Sequence, residues 1–155
     1  MSSLLRRAFS LSEVLSRSLD CLAPGFLLAV RLYVAQVFFQ SGLTKLADFS
    51  STIALFENEY RVPLLSPLLA AWSGTAAELA LPVLFAFGLA SRPVAVAFFV
   101  FNAIAVVSYP DISDAGTKDH VLWGTMMLVI LFFGAGRLSI DHWIRSRIAG
   151  AAARG

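Results

Sequence analysis

Two ionisable residues, Arg31 and Glu78, lie inside long apolar stretches of this 155-residue sequence. In a membrane each buried charge costs roughly 3 kcal/mol to insert, so it needs a partner and commonly marks a functional site. A helical rise of about 1.5 Å per residue places Arg31 about 14 Å from one edge and Glu78 about 15 Å from the opposite edge. Both charges then lie near the middle of an apolar core of roughly 30 Å. We predict that they pair, either to fix helix register or to form a redox or proton-handling site.

Two further side chains, those of Asn102 and His120, could contribute to such a site. Asn102 lies within another apolar stretch, where its amide would hydrogen-bond the charged pair or join two helices. His120 begins the last apolar stretch, and its imidazole could relay protons or hydrogen-bond a quinone headgroup. The alternative is that His120 faces lipid headgroups and Trp123 belongs to an interfacial belt of aromatic residues.

Several kinds of site are excluded. Cys21 is the single cysteine, which excludes an internal disulfide and any cysteine-based zinc or iron–sulfur site. His120 and His142 fall at opposite ends of the expected structure, so they cannot both ligate one haem. No glycine-rich phosphate loop or nucleophile elbow is present. We therefore expect no metal and no covalently bound cofactor, and quinone is the cofactor that the polar residues would suit.

The composition indicates that lipid surrounds most of the chain. Apolar residues make up 58% of the sequence and charged residues only 14%, whereas a soluble domain averages about a quarter charged residues. The net charge is only +2, and no basic stripe carries interleaved aromatic residues. Nucleic acid is therefore excluded as a partner, and the lipid bilayer is expected as one.

Four apolar stretches could cross the membrane. They cover residues 22–43, 68–89, 94–109 and 120–135. A helix of about 20 residues spans the hydrocarbon core, and only a helix satisfies the backbone of a single segment within lipid. The sequence therefore predicts an all-α integral membrane protein, a four-helix bundle over residues 22–136.

The distribution of charge predicts the orientation. One side would carry eight arginines: Arg6, Arg7, Arg17, Arg92, Arg137, Arg145, Arg147 and Arg154. The other side would carry Lys45, Arg61 and Lys118, together with the acidic residues Asp48, Glu57, Glu59, Asp111, Asp114 and Asp119. Because Lys and Arg accumulate on the cytoplasmic side, both termini should be cytoplasmic in a multi-pass protein of the cytoplasmic (inner) membrane.

The flanking segments also have predicted structures. Within residues 1–21, leucines at helical spacing oppose arginines, which predicts a separate amphipathic helix on the cytoplasmic face. A short helix capped by Ser50 and stopped by Pro63 is expected between the first two spans. Residues 137–155 form a basic tail, in which Ser139 or Asp141 would cap a short helix.

Four segments together resemble the DoxX family of small membrane proteins. They are residues 31–46, residues 76–82 (Ala-Ala-Glu-Leu-Ala-Leu-Pro), residues 84–92 and residues 134–141 (Gly-Ala-Gly-Arg-Leu-Ser-Ile-Asp). The resemblance covers roughly residues 25 to 142, in the family's order. It implies a four-helix integral membrane protein and picks out Arg31, Lys45, Glu78 and His120. Relatives in that family include a subunit of an archaeal thiosulfate:quinone oxidoreductase, and others are linked to membrane complexes that handle thiol and oxidative stress.

The leading hypothesis is a membrane subunit of an oxidoreductase system, which binds quinone or docks a membrane-bound or soluble redox protein. Its polar interior would contain Arg31, Glu78 and Asn102, with His120, Lys45 and Trp123 at a quinone site or proton relay. The chain would be at most a subunit of the enzyme. The alternative is a scaffold without catalytic activity, which holds partners or a second copy through its basic tails and the Gln36/Gln40 face. A small-solute permease is the third hypothesis.

Overall fold

The structure is a computed structural model that describes the backbone of residues 3–152 and the side chains of residues 12, 13 and 15–152. Within these residues the chain forms α-helices and no strands, so the all-α prediction is confirmed. The helices are α1 (Ser3–Ala47), α2 (Phe49–Asn58), α3 (Pro67–Phe87), α4 (Ser91–Ser108), α5 (Asp114–Phe133) and α6 (Ile140–Ala152).

Three described helices are long and apolar enough to cross a membrane. They are α1 from Leu15 to Ala47, α3 and α4. The fourth predicted span corresponds to α5, which is long enough but carries Asp114, Lys118 and Asp119 in its first two turns. Its apolar side chains follow only after these charges.

The first helix is longer than predicted, because α1 continues without interruption from Ser3 to Ala47. The described residues of the predicted amphipathic segment are helical, but they form the start of α1 and not a helix of their own. The reason is that residues 3–23 contain no glycine or proline to end a helix, and Pro24 lies within α1. That this segment lies on the membrane surface stays a prediction. Among the leucines whose helical spacing predicted the amphipathic helix, Leu15, Leu19 and Leu22 are exposed. The side chains of Leu4, Ala8 and Leu11 lie outside the described residues.

The helices pack as two close pairs, α1 against α3 and α4 against α5. Contact between α3 and α4 is less extensive. The core between the pairs contains Phe38, Phe85, Phe98, Met127 and Ile130, one or two from each of these four helices. Edge-to-face contacts connect the rings, with centroids 4.8 Å apart for Phe38 and Phe98. Such interlocking supplies the contact that holds helices together in lipid, where the hydrophobic effect between them is absent.

Large apolar side chains also cover the outside of the bundle. Five examples have about half or more of their surface exposed: Leu32, Trp72, Val100, Val107 and Phe132. A water-soluble domain rarely leaves so many large apolar groups exposed in contiguous patches. The multiple apolar helices and this exterior together identify a membrane protein in contact with lipid.

One end of the bundle, here named the α2 end, contains α2 and the connections on either side of it. Asp48 caps α2 by accepting a hydrogen bond from the Ser51 amide at 3.0 Å. The prediction of Ser50 as the cap is wrong, because the helix begins two residues earlier than that cap would require. Ser50 instead donates to the Asp48 carboxylate. Hydrogen bonds from the Ser51 side chain and backbone and from Ser50 lower the pKa of Asp48 to about 2.

The opposite end, here named the α6 end, contains the α3–α4 turn and the connection from α5 to α6. Gly88, Gly134 and Gly136 all have positive φ angles there, which glycine adopts without strain. Ser139 caps α6, since its hydroxyl accepts from the His142 amide at 3.2 Å. The predicted Ser139 cap is confirmed.

Candidate functional site

The partner of Glu78 is Lys45. The Lys45 ammonium lies 2.9 and 2.8 Å from the two carboxylate oxygens of Glu78, and it also donates to the Ser41 hydroxyl at 2.9 Å. The side chains of Lys45 and Glu78 are only 14% and 11% exposed. The predicted Arg31–Glu78 pair is therefore wrong.

Close packing at Gly42 explains the difference. A Cβ atom on Gly42 would lie 2.9 Å from the Leu79 side chain and 3.0 Å from the Glu78 Cβ, so α1 meets α3 at this residue. Lys45 follows Gly42 by about one turn and reaches Glu78, whereas Arg31 lies about three turns earlier. Small residues determine where membrane helices make close contact. The sequence prediction estimated depth by counting residues from the edges of the apolar stretches, so it did not find the register in which Lys45 lies opposite Glu78.

Arg31 acts at the α6 end instead. Its fully buried guanidinium donates to the backbone carbonyl of Ala86 at 2.6 Å and to that of Leu138. Gly88 leaves the space for it, since a Cβ there would lie 2.6 Å from the Arg31 Nη1. Arg31 thereby joins α1 to the end of α3 and to the segment before α6. We assign it a structural role.

Asp141 has a second anchoring role at that end. Its carboxylate accepts hydrogen bonds from the Ala90 and Ser91 amides, each at 2.8 Å, and from the Ser91 hydroxyl at 2.5 Å. Asp141 therefore caps α4 across the chain, not α6. Burial raises the pKa of Asp141, but the hydrogen bonds from Ser91 and Ala90 outweigh it and hold the pKa below its usual value.

Asn102 joins α4 to α5 through His120. Its amide nitrogen donates to the His120 carbonyl at 3.0 Å, and its amide oxygen lies 2.7 Å from the imidazole Nδ1. Because that oxygen can only accept, the neutral imidazole carries its proton on Nδ1 and leaves Nε2 as an acceptor. Of the two interpretations of Asn102, the structure favours helix joining, since Asn102 contacts neither charge of the ion pair.

His120 and Trp123 pack inward. The Trp123 ring lies 5.3 Å and the His120 ring 6.2 Å from Phe38, measured between centroids. The indole nitrogen of Trp123 is buried and has no hydrogen-bond partner among the described residues. This placement disfavours the interfacial belt, and both rings line a cavity that Lys45 and Glu78 also line.

Two cavities meet at this pair. The larger cavity, of about 440 Å³, lies between α3, α4 and the connection after α2, and its lining includes Phe56, Val62, Phe101 and Ile104. The smaller cavity, of about 170 Å³, is lined by Phe38, Ser41, His120 and Trp123 among others. Lys45, Tyr60, Glu78 and Ala105 line both cavities. The ion pair thus lies in the wall that the two cavities share.

Tyr60 and Ser41 belong to the site but were not identified from the sequence. Tyr60 stacks between Phe56 and Tyr109, with centroid distances of 4.8 and 5.0 Å. It lies in a polar connection, where no periodic pattern marks an inward side chain. Ser41 does have a signal, since it precedes Lys45 by four residues and so shares its helix face.

The site offers hydrogen-bond donors and acceptors to a ligand. All three ammonium protons of Lys45 have acceptors, two on Glu78 and one on Ser41. A ligand carbonyl could replace one of these acceptors, and His120 Nε2 could accept from a ligand hydroxyl. Among the described residues, no three His, Cys, Asp or Glu side chains come together as a metal site.

Comparison with known proteins supports a family assignment. The chain is 28% identical over 138 residues to an uncharacterized protein of Haemophilus influenzae, an alignment that covers 81% of this chain and 91% of the relative. No solved structure matches the chain. The DoxX family matches residues 26–110, which contain Arg31, Lys45, Glu78 and Asn102. The chain belongs to the DoxX family.

Proposed function

We propose that this protein is the membrane subunit of an oxidoreductase system and binds the headgroup of a quinone beside the Lys45–Glu78 pair. The observation that carries the proposal is the position of the pair. It is the charged part of a wall that faces a cavity lined mainly by apolar and aromatic side chains. Ligand sites commonly combine such a lining with a few polar groups that orient the ligand.

The size and chemistry of the larger cavity suit this ligand. Its volume of about 440 Å³ lies within the range of roughly 300–1,000 Å³ that small-molecule sites occupy. The ring carbonyls of a quinone would accept from the Lys45 ammonium. Phe56 and Tyr60 would offer aromatic faces, which stack with a planar ring at offset geometry. The electrons would come from a redox partner protein that docks on the membrane subunit.

We also propose that α5 is the fourth span of a four-helix bundle. Val121, Leu122, Phe132 and Phe133 are exposed on α5, and in lipid such groups cost nothing to expose. With four spans, both termini lie on one membrane side. The excess of Arg at the α6 end makes that side cytoplasmic. The α2 end and the ion pair then belong to the outer half of the inner membrane.

The test is quinone binding by the purified protein in lipid nanodiscs. Wild type should melt at a higher temperature when a short-chain ubiquinone is added. The double variant Lys45→Met/Glu78→Leu should lose most of this shift, because it removes the hydrogen-bond donor without leaving an unpaired buried charge. Lys118→Met is the matched control, since Lys118 is exposed and lines neither cavity. An equal shift in the double variant would contradict the proposal.

A scaffold function is the second candidate, and one observation favours it. Gln36, which is exposed, lines a shallow groove between α1 and α3 together with Ala35, Phe39 and Pro82. An amide on a lipid-facing surface can hydrogen-bond a neighbouring membrane helix. If the protein only holds partners, Gln36→Leu with Gln40→Leu should abolish their co-purification. The Lys45→Met/Glu78→Leu variant should leave it intact.

A further inference from the structure

We propose that the ligand reaches the Lys45–Glu78 pair from within the bilayer, between α3 and α4, and that it is a neutral lipophile whose tail stays in this lateral opening. The inference rests on the proposed function, since it takes the larger cavity to be the headgroup site. It adds the route of entry, the class of ligand and the residues that select for a tail.

The lateral opening is a property of the helix packing. The two close helix pairs leave α3 and α4 in less extensive contact with each other. Ser73 on α3 and Ile104 on α4 are exposed on the outside of the bundle, yet both line the larger cavity. Lys45 and Glu78 line the same cavity from inside. Between them lie Gly74, Ala77 and Ala105, whose small side chains leave a continuous passage.

The side of the larger cavity that would face water, by contrast, is covered by the connection after α2. Tyr60 stacks on Phe56 and on Tyr109, and so bridges from α2 to the end of α4. The Arg61 amide donates to the Ser108 carbonyl at 2.7 Å, which attaches the same connection to α4. Val62, Pro63 and Leu65 continue this cover over the cavity. A ligand that came from water would have to displace these contacts, whereas a ligand in lipid meets the opening directly.

The charges of the Lys45–Glu78 pair favour a ligand with a neutral headgroup. Lys45 and Glu78 neutralise each other at 2.8 Å, so the cavity offers no net charge to a ligand. An anionic headgroup would compete with Glu78 for the ammonium, and a cationic one would compete with Lys45 for the carboxylate. A charged headgroup would also have to leave water to enter from the bilayer, which is unfavourable. A neutral ring carbonyl that accepts a hydrogen bond avoids both the competition within the ion pair and the loss of hydration of a charged group.

The test compares a methoxy-substituted benzoquinone without a tail and the same ring with a decyl tail, each titrated against the protein in nanodiscs. Ser73→Phe should fill the outer part of the opening and weaken binding of the tailed ligand about tenfold, because the displaced tail loses contact for two or more methylene groups. Binding of the tail-free ring should change less than about twofold. Ala76→Phe is the control, since Ala76 is exposed on the same helix and lines neither cavity.

Ile104→Phe repeats the test from the opposite wall, and retained binding of the tail-free ring shows that each variant is folded. The lateral route is wrong if both variants leave the affinity for the tailed ligand unchanged, or if they weaken both ligands equally. That result, with wild type still binding both ligands, leaves the quinone site standing. If wild type binds neither ligand, the proposed function itself is wrong, and the route falls with it.

Discussion

Gly42 determines how closely α1 approaches α3, and through this approach it brings Lys45 to Glu78. A Cβ atom at this position would lie about 3 Å from both Leu79 and Glu78, closer than side chains normally pack. We expect Gly42→Ala to reduce the free energy of unfolding by about 1–3 kcal/mol, as overpacking does elsewhere. Thermal unfolding in detergent measures the effect.

Gly25 provides the matched control, because it lies in the same helix and a Cβ there would meet nothing within 4 Å. Gly25→Ala should be neutral or should stabilise α1 by up to about 1 kcal/mol, from the better helix propensity of alanine. If the two variants unfold at the same temperature, Gly42 does not set the contact between α1 and α3.

The Lys45–Glu78 pair leads to a second prediction, on non-additivity. Lys45→Met alone leaves a carboxylate buried without its cation, so it should lower the free energy of unfolding by about 3–5 kcal/mol. Adding Glu78→Leu removes the unpaired charge and should restore much of this loss. Unfolding of the single and double variants, compared with Glu78→Leu alone, completes the cycle. A double variant less stable than both single variants would contradict a direct pair.

The buried charges were predictable from the sequence, whereas their partners were not. Arg31 and Glu78 stand out because they interrupt apolar stretches, and both are buried. The depth argument assumed that each helix begins at the edge of its apolar stretch. Because α1 contacts α3 at Gly42, the register between these two helices differs by about three helical turns from the register that this assumption gave. A glycine in a membrane helix shows in the sequence, but which surface it meets does not.

At the scale of elements, Asp141 connects α6 to the turn between α3 and α4 by capping α4. Asp141→Asn keeps the shape but weakens the acceptor, so we expect a loss of about 1 kcal/mol, typical of a helix cap. Because the folded-state pKa lies below the usual 3.8, ionised Asp141 stabilises the fold fully above that pH. This stabilisation is lost as the pH falls through the lower folded-state pKa.

The measurement is the melting temperature of wild type and Asp141→Asn as a function of pH. Their difference should be constant above about pH 5 and should shrink once the pH falls below the usual carboxyl pKa. Asp111→Asn serves as control, since Asp111 is exposed in the connection before α5. A difference that persists unchanged at low pH would show that the carboxylate charge does not hold this cap.

Individual helices were more predictable than their ends. Hydropathy alone identified α1, α3 and α4 as spans, and the Ser139 cap identified the start of α6. The length of α1 was missed because its leucine spacing resembles that of a surface helix. That spacing is the same whether the helix lies on a membrane or continues into a span. In the structure α1 continues even through Pro24 and Gly25, the first residues of the helix that would favour a break.

At the scale of the whole molecule, the two ends of the bundle have different chemistry. At the α6 end, Arg31 and Asp141 bind backbone groups and hold the helices together. Toward the α2 end, Lys45 and Glu78 bind each other beside two cavities. The four helices between them form a buried apolar core that contains Phe38, Phe85 and Phe98. The two ends therefore differ in what their charged side chains bind: backbone groups at the α6 end, and each other at the α2 end. The proposed topology places the α2 end outside.

This topology is the last prediction. Cys21 is the single native cysteine and lies inside the α1 span that begins at Leu15, so it is first replaced by serine. In that background a cysteine at Glu13, which is exposed before the span, should react with a membrane-impermeant maleimide only from the cytoplasmic side. In the same Cys21→Ser background, cysteine at Ser50 or Asp111 should react in intact cells. Ser50 lies on α2, and Asp111 follows Tyr109, which stacks on Tyr60 at the α2 end. Cysteine at Ser146 on α6 should react only after the membrane is permeabilised.

The pair Asp111→Cys and Ser146→Cys tests α5 directly, since these residues flank it. Opposite accessibility means that α5 crosses the membrane despite the charges in its first turns, and same-side accessibility would contradict a four-helix bundle. Reactivity of Glu13→Cys in intact cells, with Ser50→Cys protected, would invert the orientation. The ion pair would then lie in the cytoplasmic half of the membrane, and the redox partner would be sought on that side.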